Sequence, residues 1–167
     1  AAYCGDTIEL GDGTFSGDEN RDLSFLDKRL TIRSQSGDST ACILDAGGSA
    51  GDEHQVFILG THLTSQARLE GVTITGGYYM SGGGIHIYGS NLTIANCVFR
   101  GNYASYRGGA VYVAYYTKKT SPRFENCVFS KNSAGSSAGA LVGAMYAAGL
   151  EPDDILFVVV LPDGREV

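Results

Sequence analysis

The sequence is poor in several residue types that mark other classes of protein. It has no tryptophan, three prolines and three histidines, and its net charge is −6 because acidic residues outnumber basic ones. Its longest apolar run, residues 155–161, has only the length of a strand, so no transmembrane segment is predicted. An acidic chain is also a poor partner for nucleic acid or for an anionic membrane surface.

Residues that commonly bind metals are scattered rather than clustered. The histidines lie at positions 54, 62 and 86, and the four cysteines include no Cys-x-x-Cys pair. No group of these residues has the spacing of a metal site, so no metal or other cofactor is predicted.

The most informative feature present is an internal repeat. Residues 94–111 and 124–141 carry the same pattern, with every matched position 30 residues apart, and a fainter copy covers residues 71–85. In that fainter copy Ile74 lies 25 residues before Phe99. The matched pairs of the two clear copies are Cys97 with Cys127, Phe99 with Phe129, Asn102 with Asn132 and Gly109 with Gly139.

Tandem units of this length predict a solenoid, and their residues indicate which kind. Each unit holds short β-branched and aromatic runs separated by glycine and asparagine, without helical spacing of apolar residues. We therefore predict an all-β fold, a right-handed parallel β-helix of about five turns, its handedness following the rule for parallel crossovers. The helix would cover residues 1–142 and a short helical or strand cap residues 143–167, within a single domain.

Stacked turns bring equivalent side chains together. Cys97 and Cys127 are then neighbours, either as a disulfide or as two buried thiols. Cys4 and Cys42 could pair near the N-terminal end, and the sequence does not decide whether they do.

The repeat also resembles a known family. Phe99-x-x-Asn102 with Gly108-Gly-Ala110, and their second copies, are similar to the FxxN and GGA repeats of polymorphic outer-membrane proteins and of right-handed β-helix proteins. The resemblance covers roughly residues 5–142. It implies the β-helix fold and an extracellular or cell-surface location of bacterial type, but it does not imply one function, because such helices serve as enzymes, adhesins and stalks.

The tail after the repeat suggests a different chemistry. Residues 135–155 resemble the nucleophile elbow and following helix of patatin-like phospholipases, with the pattern Gly-x-Ser-x-Gly centred on Ser137. That resemblance implies that Ser137 is a nucleophile and that the backbone N–H groups of Ala138 and Gly139 hold an oxyanion. Asp163 and His86 are the candidate bases, and His86 should face outward because it alternates with buried isoleucines. The alternative is that Ser137 is an ordinary corner residue next to a capping helix.

Tyrosines are concentrated in the middle of the chain. Aromatic rings on an outer face can stack on sugars, so Tyr79, Tyr106 and Tyr112 are candidate ligand-binding residues. The alternative is that these tyrosines only cover a pleated surface.

Three functions fit these patterns. The first is a small serine carboxylesterase or lipase-like hydrolase that acts on short acyl esters. The second is a non-catalytic extracellular module, of polysaccharide-binding or adhesin type. A uronate-polysaccharide lyase or pectin esterase ranks last, because no carboxylate cluster recurs at one stacked position. The solenoid ends could also pair, which would give a homo-oligomer.

Overall fold

The fold is built from short parallel strands wound into a β-helix. The computed structural model describes residues 2–60, 63–114, 122–135 and 159–160. One 3₁₀ helix, Asp18–Asn20, precedes the third strand. The strands are β1 Thr7–Leu10, β2 Gly13–Phe15, β3 Thr31–Ser34, β4 Cys42–Asp45, β5 Phe57–Leu59, β6 Arg68–Glu70, β7 Thr73–Thr75, β8 Tyr78–Ser81, β9 Ile85–Tyr88, β10 Thr93–Ala95, β11 Val98–Arg100, β12 Tyr103–Arg107, β13 Val111–Ala114, β14 Arg123–Glu125, β15 Val128–Ser130, β16 Ser133–Ala134 and β17 Val159–Val160.

The strands form four sheets that run along the solenoid. Sheet 1 has the order β1-β3-β6-β10-β14-β17, and sheet 2 has the order β2-β4-β7-β11-β15. Sheet 3 is β8-β12-β16, and sheet 4 is β5-β9-β13. Every pair among these described strands is parallel. The predicted all-β parallel β-helix is therefore confirmed.

The register of the strands is the register of the sequence repeat. Phe99 pairs with Phe129 on one side, 30 positions later, and with Ile74 on the other, 25 positions earlier. The two phenylalanine rings stack at 4.8 Å with their planes 8° apart. Sheet 3 follows the 25-residue offset as far as Ala104, where an irregularity in β12 moves Arg107 opposite Ser81, 26 positions earlier. This irregularity explains why the glycine motif after β12 is shifted by one residue.

The solenoid has about four turns rather than about five. We call each pass of the chain that begins with a strand of sheet 1 a coil, and β1, β3, β6, β10 and β14 begin coils 1 to 5. Coil 1 has strands only in sheets 1 and 2, and coil 5 has no described strand in sheet 4. Coil 1 is therefore partial. The predicted cap at 143–167 lies outside the described residues except for β17, which pairs with β14.

The core lies inside the coils and is made of stacked apolar columns. The inward column of sheet 1 runs Ile8, Ile32, Leu69, Ile94 and Phe124 from one coil to the next. The last three of these are fully buried. Corners between sheets 1 and 2 place Gly71, Asn96 and Asn126 at positive φ, between 51° and 66°, which these two residue types adopt at low cost. Like residues at like corners are what make the repeat visible in the sequence.

The asparagine of the FxxN motif closes the corner between sheets 2 and 3. Asn102 is 1% exposed, and its Oδ1 accepts a hydrogen bond of 3.1 Å from the Gly77 N–H of the previous coil. Its Nδ2 donates to the Ile74 carbonyl and to Asn132 Oδ1, both at 3.0 Å. Asn132 repeats the pattern by donating to the Phe99 carbonyl at 2.9 Å. The motif is a ladder of hydrogen-bonded amides, buried at Asn102 and half-buried at Asn132, so its role is structural.

The glycines of the GGA motif allow two stretches of backbone to approach closely. A Cβ atom on Gly83 would lie 2.2 Å from the Tyr103 carbonyl oxygen, and one on Gly109 would lie 2.3 Å from the Ser133 carbonyl oxygen. Any side chain at these positions would push neighbouring segments apart. Both halves of the family motif are thus explained by the fold.

The cysteines follow the repeat as well. Cys97 and Cys127 lie in adjacent coils, where the Val128 N–H donates to the Cys97 carbonyl at 2.9 Å, and both side chains are buried as free thiols. Cys42 is a buried free thiol and Cys4 an exposed one. No helix within the described ranges has the length and apolar character needed to cross a bilayer.

Candidate binding face

An aromatic surface lies on sheet 3. Tyr78 of β8 and Tyr103 of β12 are register partners, and their rings stack with centroids 4.5 Å apart and planes 28° apart. Both side chains are half-buried. Met80 lies two residues beyond Tyr78 on the same side of its strand and is 58% exposed, so this side of the sheet meets solvent. Burial and the neighbouring Tyr103 raise the pKa of the Tyr78 hydroxyl.

A third tyrosine is presented by the irregularity in β12. Tyr106 is 50% exposed, and the guanidinium of Arg107 lies 4.5 Å from its ring centroid. Arg107 Nη2 also donates a hydrogen bond of 2.9 Å to the Tyr106 hydroxyl. A cation over the ring and a donor on the hydroxyl both hold the aromatic plane in place. We call Tyr78, Met80, Tyr103, Tyr106 and Arg107 the tyrosine face.

The loop before β5 contacts β8 at the edge of the tyrosine face and holds this strand in place. His54 forms an antiparallel bridge with Tyr78, whose N–H donates to the His54 carbonyl at 2.8 Å. The imidazole of His54 lies between two carboxylates, with Nδ1 at 2.5 Å from Asp22 Oδ2 and Nε2 at 3.0 Å from Asp52 Oδ1. Arg21 reaches Asp52 on its other side at 3.0 Å. Because both ring nitrogens face acceptors, the geometry suits the doubly protonated imidazole.

The two carboxylates beside His54 both raise its pKa, whereas burial and the charge of Arg21 oppose them. The hydrogen bond to Asp22 is the largest influence on His54 and raises its pKa, and Asp52 adds to this. Hydrogen bonds from Arg21 and then from His54 lower the pKa of Asp52. This network joins coil 1 to the loop that supports Tyr78.

The chain was compared with protein families, with curated proteins and with solved structures. Residues 96–114 match the Chlamydia polymorphic membrane protein repeat. The matched segment holds β11, β12 and β13 of coil 4, with one FxxN asparagine, one Gly-Gly-Ala corner and the exposed Tyr106. No curated protein and no solved structure gives a significant match to the chain. The predicted resemblance to polymorphic membrane protein repeats is thus confirmed, whereas the patatin-like resemblance finds no support in these comparisons.

The three tyrosines predicted as ligand-binding residues do not lie together. Tyr106 belongs to the tyrosine face, and Tyr79 is half-buried beside it, opposite the fully buried Ala104. Tyr112 lies in sheet 4 and is only 8% exposed, so it is closed to a ligand in this structure. The stacked pair of Tyr78 and Tyr103 is not among the predicted ligand-binding residues, although the 25-residue offset that aligns Ile74 with Phe99 also aligns these two tyrosines.

His86 alternates with Ile85 and Ile87 along β9 as predicted, but its side of the strand is covered by other rings and the residue is buried. Its neighbours Ile85 and Ile87 are fully buried as expected, but His86 itself is only 6% exposed. Its ring stacks on Tyr88 at 3.9 Å and meets the edge of Tyr112 at 4.8 Å. Burial lowers the pKa of His86 to about 4, and its Nε2 has no hydrogen-bond partner among the residues that the structure describes. A neutral imidazole enclosed by rings is poorly placed to take a proton from a substrate-facing nucleophile.

The remaining residues of the predicted esterase site fall outside the described part of the chain. These are the nucleophile Ser137, the oxyanion-hole residues Ala138 and Gly139, and the second candidate base Asp163. Within the described ranges, no group of three or more His, Cys, Asp or Glu side chains is arranged to hold a metal ion.

Proposed function

We propose that this chain is a non-catalytic β-helix module of adhesin type on a bacterial cell surface, and that it binds polysaccharide through the tyrosine face. The stacked, half-exposed pair of Tyr78 and Tyr103 is the observation that carries this proposal. Flat apolar ring faces beside hydroxyl groups are suited to the apolar faces and hydroxyls of sugars.

Two further observations support the proposal. The matched repeat is named for membrane proteins of Chlamydia, which fits a module exposed at a bacterial surface. The tyrosine face is also preorganised, because Arg107 fixes Tyr106 and the His54 bridge fixes the strand that carries Tyr78. Aromatic side chains held in place before binding lose little conformational entropy when a ligand arrives.

The serine-hydrolase hypothesis has less support. Its nucleophile and oxyanion-hole residues lie outside the described residues, and its candidate base His86 is enclosed by aromatic rings. It stays a prediction that a direct assay can test.

The experiment is a screen of the purified chain against immobilised bacterial and eukaryotic surface polysaccharides, followed by substitution of the face. Tyr103→Ala removes one ring of the stacked pair and should weaken binding about tenfold. Tyr3→Ala is the matched control, because Tyr3 is 74% exposed and lies outside the face. Retention of full affinity in folded Tyr78→Ala, Tyr103→Ala and Tyr106→Ala variants would reject the tyrosine face as the binding surface.

A further inference from the structure

A loop takes the place of a strand beside Tyr78. Coil 2 has no strand in sheet 3, although the structure describes all of residues 31–59, and residues 46–56 run along the side of β8 that faces away from β12. The Tyr78 N–H donates to the His54 carbonyl in this segment, and a Cβ atom on Gly48 would lie 2.9 Å from the Tyr78 nitrogen. We call residues 46–56 the covering loop. The strand that carries Tyr78 is therefore held by β12 on one side and by the covering loop on the other.

The covering loop is closed at its tip and tied to coil 1 near its end. At the tip, Ser49 and Asp52 form an antiparallel bridge, with N–H to carbonyl distances of 2.9 and 3.1 Å. Near the end, the Asp22 N–H donates to the Gln55 carbonyl at 2.7 Å, and the Gln55 N–H donates to Asp22 Oδ1 at 3.1 Å. His54 lies between the tip and this tie, and its imidazole contacts the carboxylate that each of them carries.

The imidazole can serve both carboxylates only when it carries two protons. Its Nδ1 faces Asp22 and its Nε2 faces Asp52, so a neutral ring has one N–H for two acceptors. After deprotonation one ring nitrogen would point a lone pair at a carboxylate oxygen. The cation that separates the two carboxylates would also be lost, and like charges in one site repel.

The other charged groups around this contact do not replace the imidazolium. Arg21 bonds Asp52 at 3.0 Å and also bonds Asp18, so its charge is already shared between two carboxylates. Glu53 adds a further negative charge next to the ring in sequence, and it contributes to the raised pKa of Tyr78, of which burial is the main cause. Loss of the imidazole proton therefore leaves an excess of negative charge at the covering loop.

The titration of His54 is separated from that of its neighbours. The hydrogen bond to Asp22 is the largest influence and raises the pKa of His54, so its stabilising effect is complete below pH 6.5 and is lost as pH rises through the folded pKa. His86, the other histidine that the structure describes, has a pKa of about 4. The phenol of Tyr78 titrates above pH 10, because burial raises its pKa. Since the His54 side chain is 23% exposed, solvent screens part of the effect.

We propose that His54 is a positioning residue that makes ligand binding by the tyrosine face depend on pH. Its imidazolium holds the covering loop against the backbone of Tyr78. Loss of the proton loosens the loop and lowers the affinity of the face, so binding is stronger near pH 6 than near pH 8.5. The effect on affinity rests on the proposed function of the face, whereas the loosening of the loop is a property of the free chain.

Amide hydrogen exchange measured by NMR tests the loosening without a ligand. The protection factor of the Tyr78 N–H, which is its exchange rate relative to an unfolded chain at the same pH, should fall about fivefold between pH 6 and pH 8.5. The Tyr103 N–H is the internal control, since it donates to the Gly77 carbonyl at 2.8 Å rather than to the loop, and its protection should not change. A constant protection factor at Tyr78, or an equal fall at both amides, would overturn the proposal.

Two substitutions show whether His54 is the titrating group. Asp22→Asn removes one carboxylate charge while asparagine keeps an acceptor for the Gln55 N–H and tolerates the φ of 51° at this position. It should move the midpoints of the His54 ring shifts and of Tyr78 protection to lower pH together. The control Glu19→Gln, the same charge change at an exposed neighbour, should move neither. A Tyr78 midpoint that stays in place while that of His54 moves would assign the effect to another group.

Binding is then measured at pH 6 and pH 8.5 with soluble dextran, mannan and hyaluronan as probes, and circular dichroism checks that each variant is folded. The Kd of the best probe should rise about fivefold at the higher pH in the parent and should not change with pH in His54→Gln. A Kd that is independent of pH but still weakened by Tyr103→Ala would overturn the proposal and leave the binding function in place. If no probe binds at either pH, the polysaccharide function is rejected, and the pH dependence of binding is rejected with it.

Discussion

Replacing the buried amide of Asn102 should lower the free energy of unfolding more than replacing a side chain that makes contacts only at the surface. In Asn102→Ala the Gly77 N–H loses its acceptor, and the Ile74 carbonyl and Asn132 Oδ1 each lose a donor. A buried polar group without a partner costs about 1–3 kcal/mol, and each lost hydrogen bond about 1 kcal/mol. Because Asn102 is 1% exposed, water cannot replace these bonds. We expect a loss of about 3 kcal/mol in the free energy of unfolding.

Urea unfolding, followed by the circular dichroism of the β-sheets, measures this loss. Asn20→Ala is the control, since its Nδ2 donates an exposed hydrogen bond of 2.8 Å to the Ser16 carbonyl from the end of the short 3₁₀ helix, and it should cost about 0.5 kcal/mol. Asn102→Asp separates the roles of the amide, because a carboxylate accepts from Gly77 but cannot donate to Ile74. A loss below about 1 kcal/mol in Asn102→Ala would refute the view that the FxxN asparagine is a structural ladder.

Four further predictions concern the fold, the two histidines and the tail. Gly109→Ala should lower the midpoint of urea unfolding strongly, because its Cβ would lie 2.3 Å from the Ser133 carbonyl oxygen. Gly11→Ala is the control, since a Cβ there meets nothing within 4 Å. Equal unfolding midpoints for the two variants would contradict the close approach at Gly109. His86 has a folded pKa of about 4, below the unfolded value of about 6.5, so its contribution to stability is complete above pH 6.5 and falls toward pH 4. His86→Phe should therefore lose less stability than the parent between pH 7 and pH 4.5. His54 has a raised pKa and behaves oppositely, so the stability it adds is lost as pH rises through its folded pKa, and His54→Ala should remove that alkaline loss. If the chain hydrolyses p-nitrophenyl esters, a folded Ser137→Ala variant should lose the activity, and equal rates would reject Ser137 as a nucleophile.

The sequence was sufficient to predict the fold because a solenoid repeats its side chains in space as it does along the chain. The 30-residue offset between Phe99 and Phe129 is the register of β11 and β15, and the corner asparagines recur for the same reason. The number of turns was harder to predict. The corresponding strands β3 and β6 are 37 residues apart, since coil 2 carries long loops of no fixed pattern, and coil 1 is partial.

The binding face could be predicted only in part. Alternation along a strand tells which side a residue is on, but it does not tell whether that side is covered. Tyr112 and His86 both alternate with buried neighbours, yet both are themselves buried and pack on each other. Tyr106 is exposed because β12 contains an irregularity that no local sequence pattern predicts. Pairing between coils, rather than the density of tyrosines, would have selected Tyr78 and Tyr103.

The absence of tryptophan makes the most direct test of the central claim straightforward, because the intrinsic fluorescence of the chain comes from its tyrosines. The measurement is a titration of that fluorescence with the polysaccharide that binds best in the screen, on the parent and on Tyr103→Ala. A binding module that uses the stacked pair predicts a saturable change in the parent that is reduced in amplitude and shifted about tenfold in concentration in the variant. Superimposable curves for the parent and the folded variant would contradict the account.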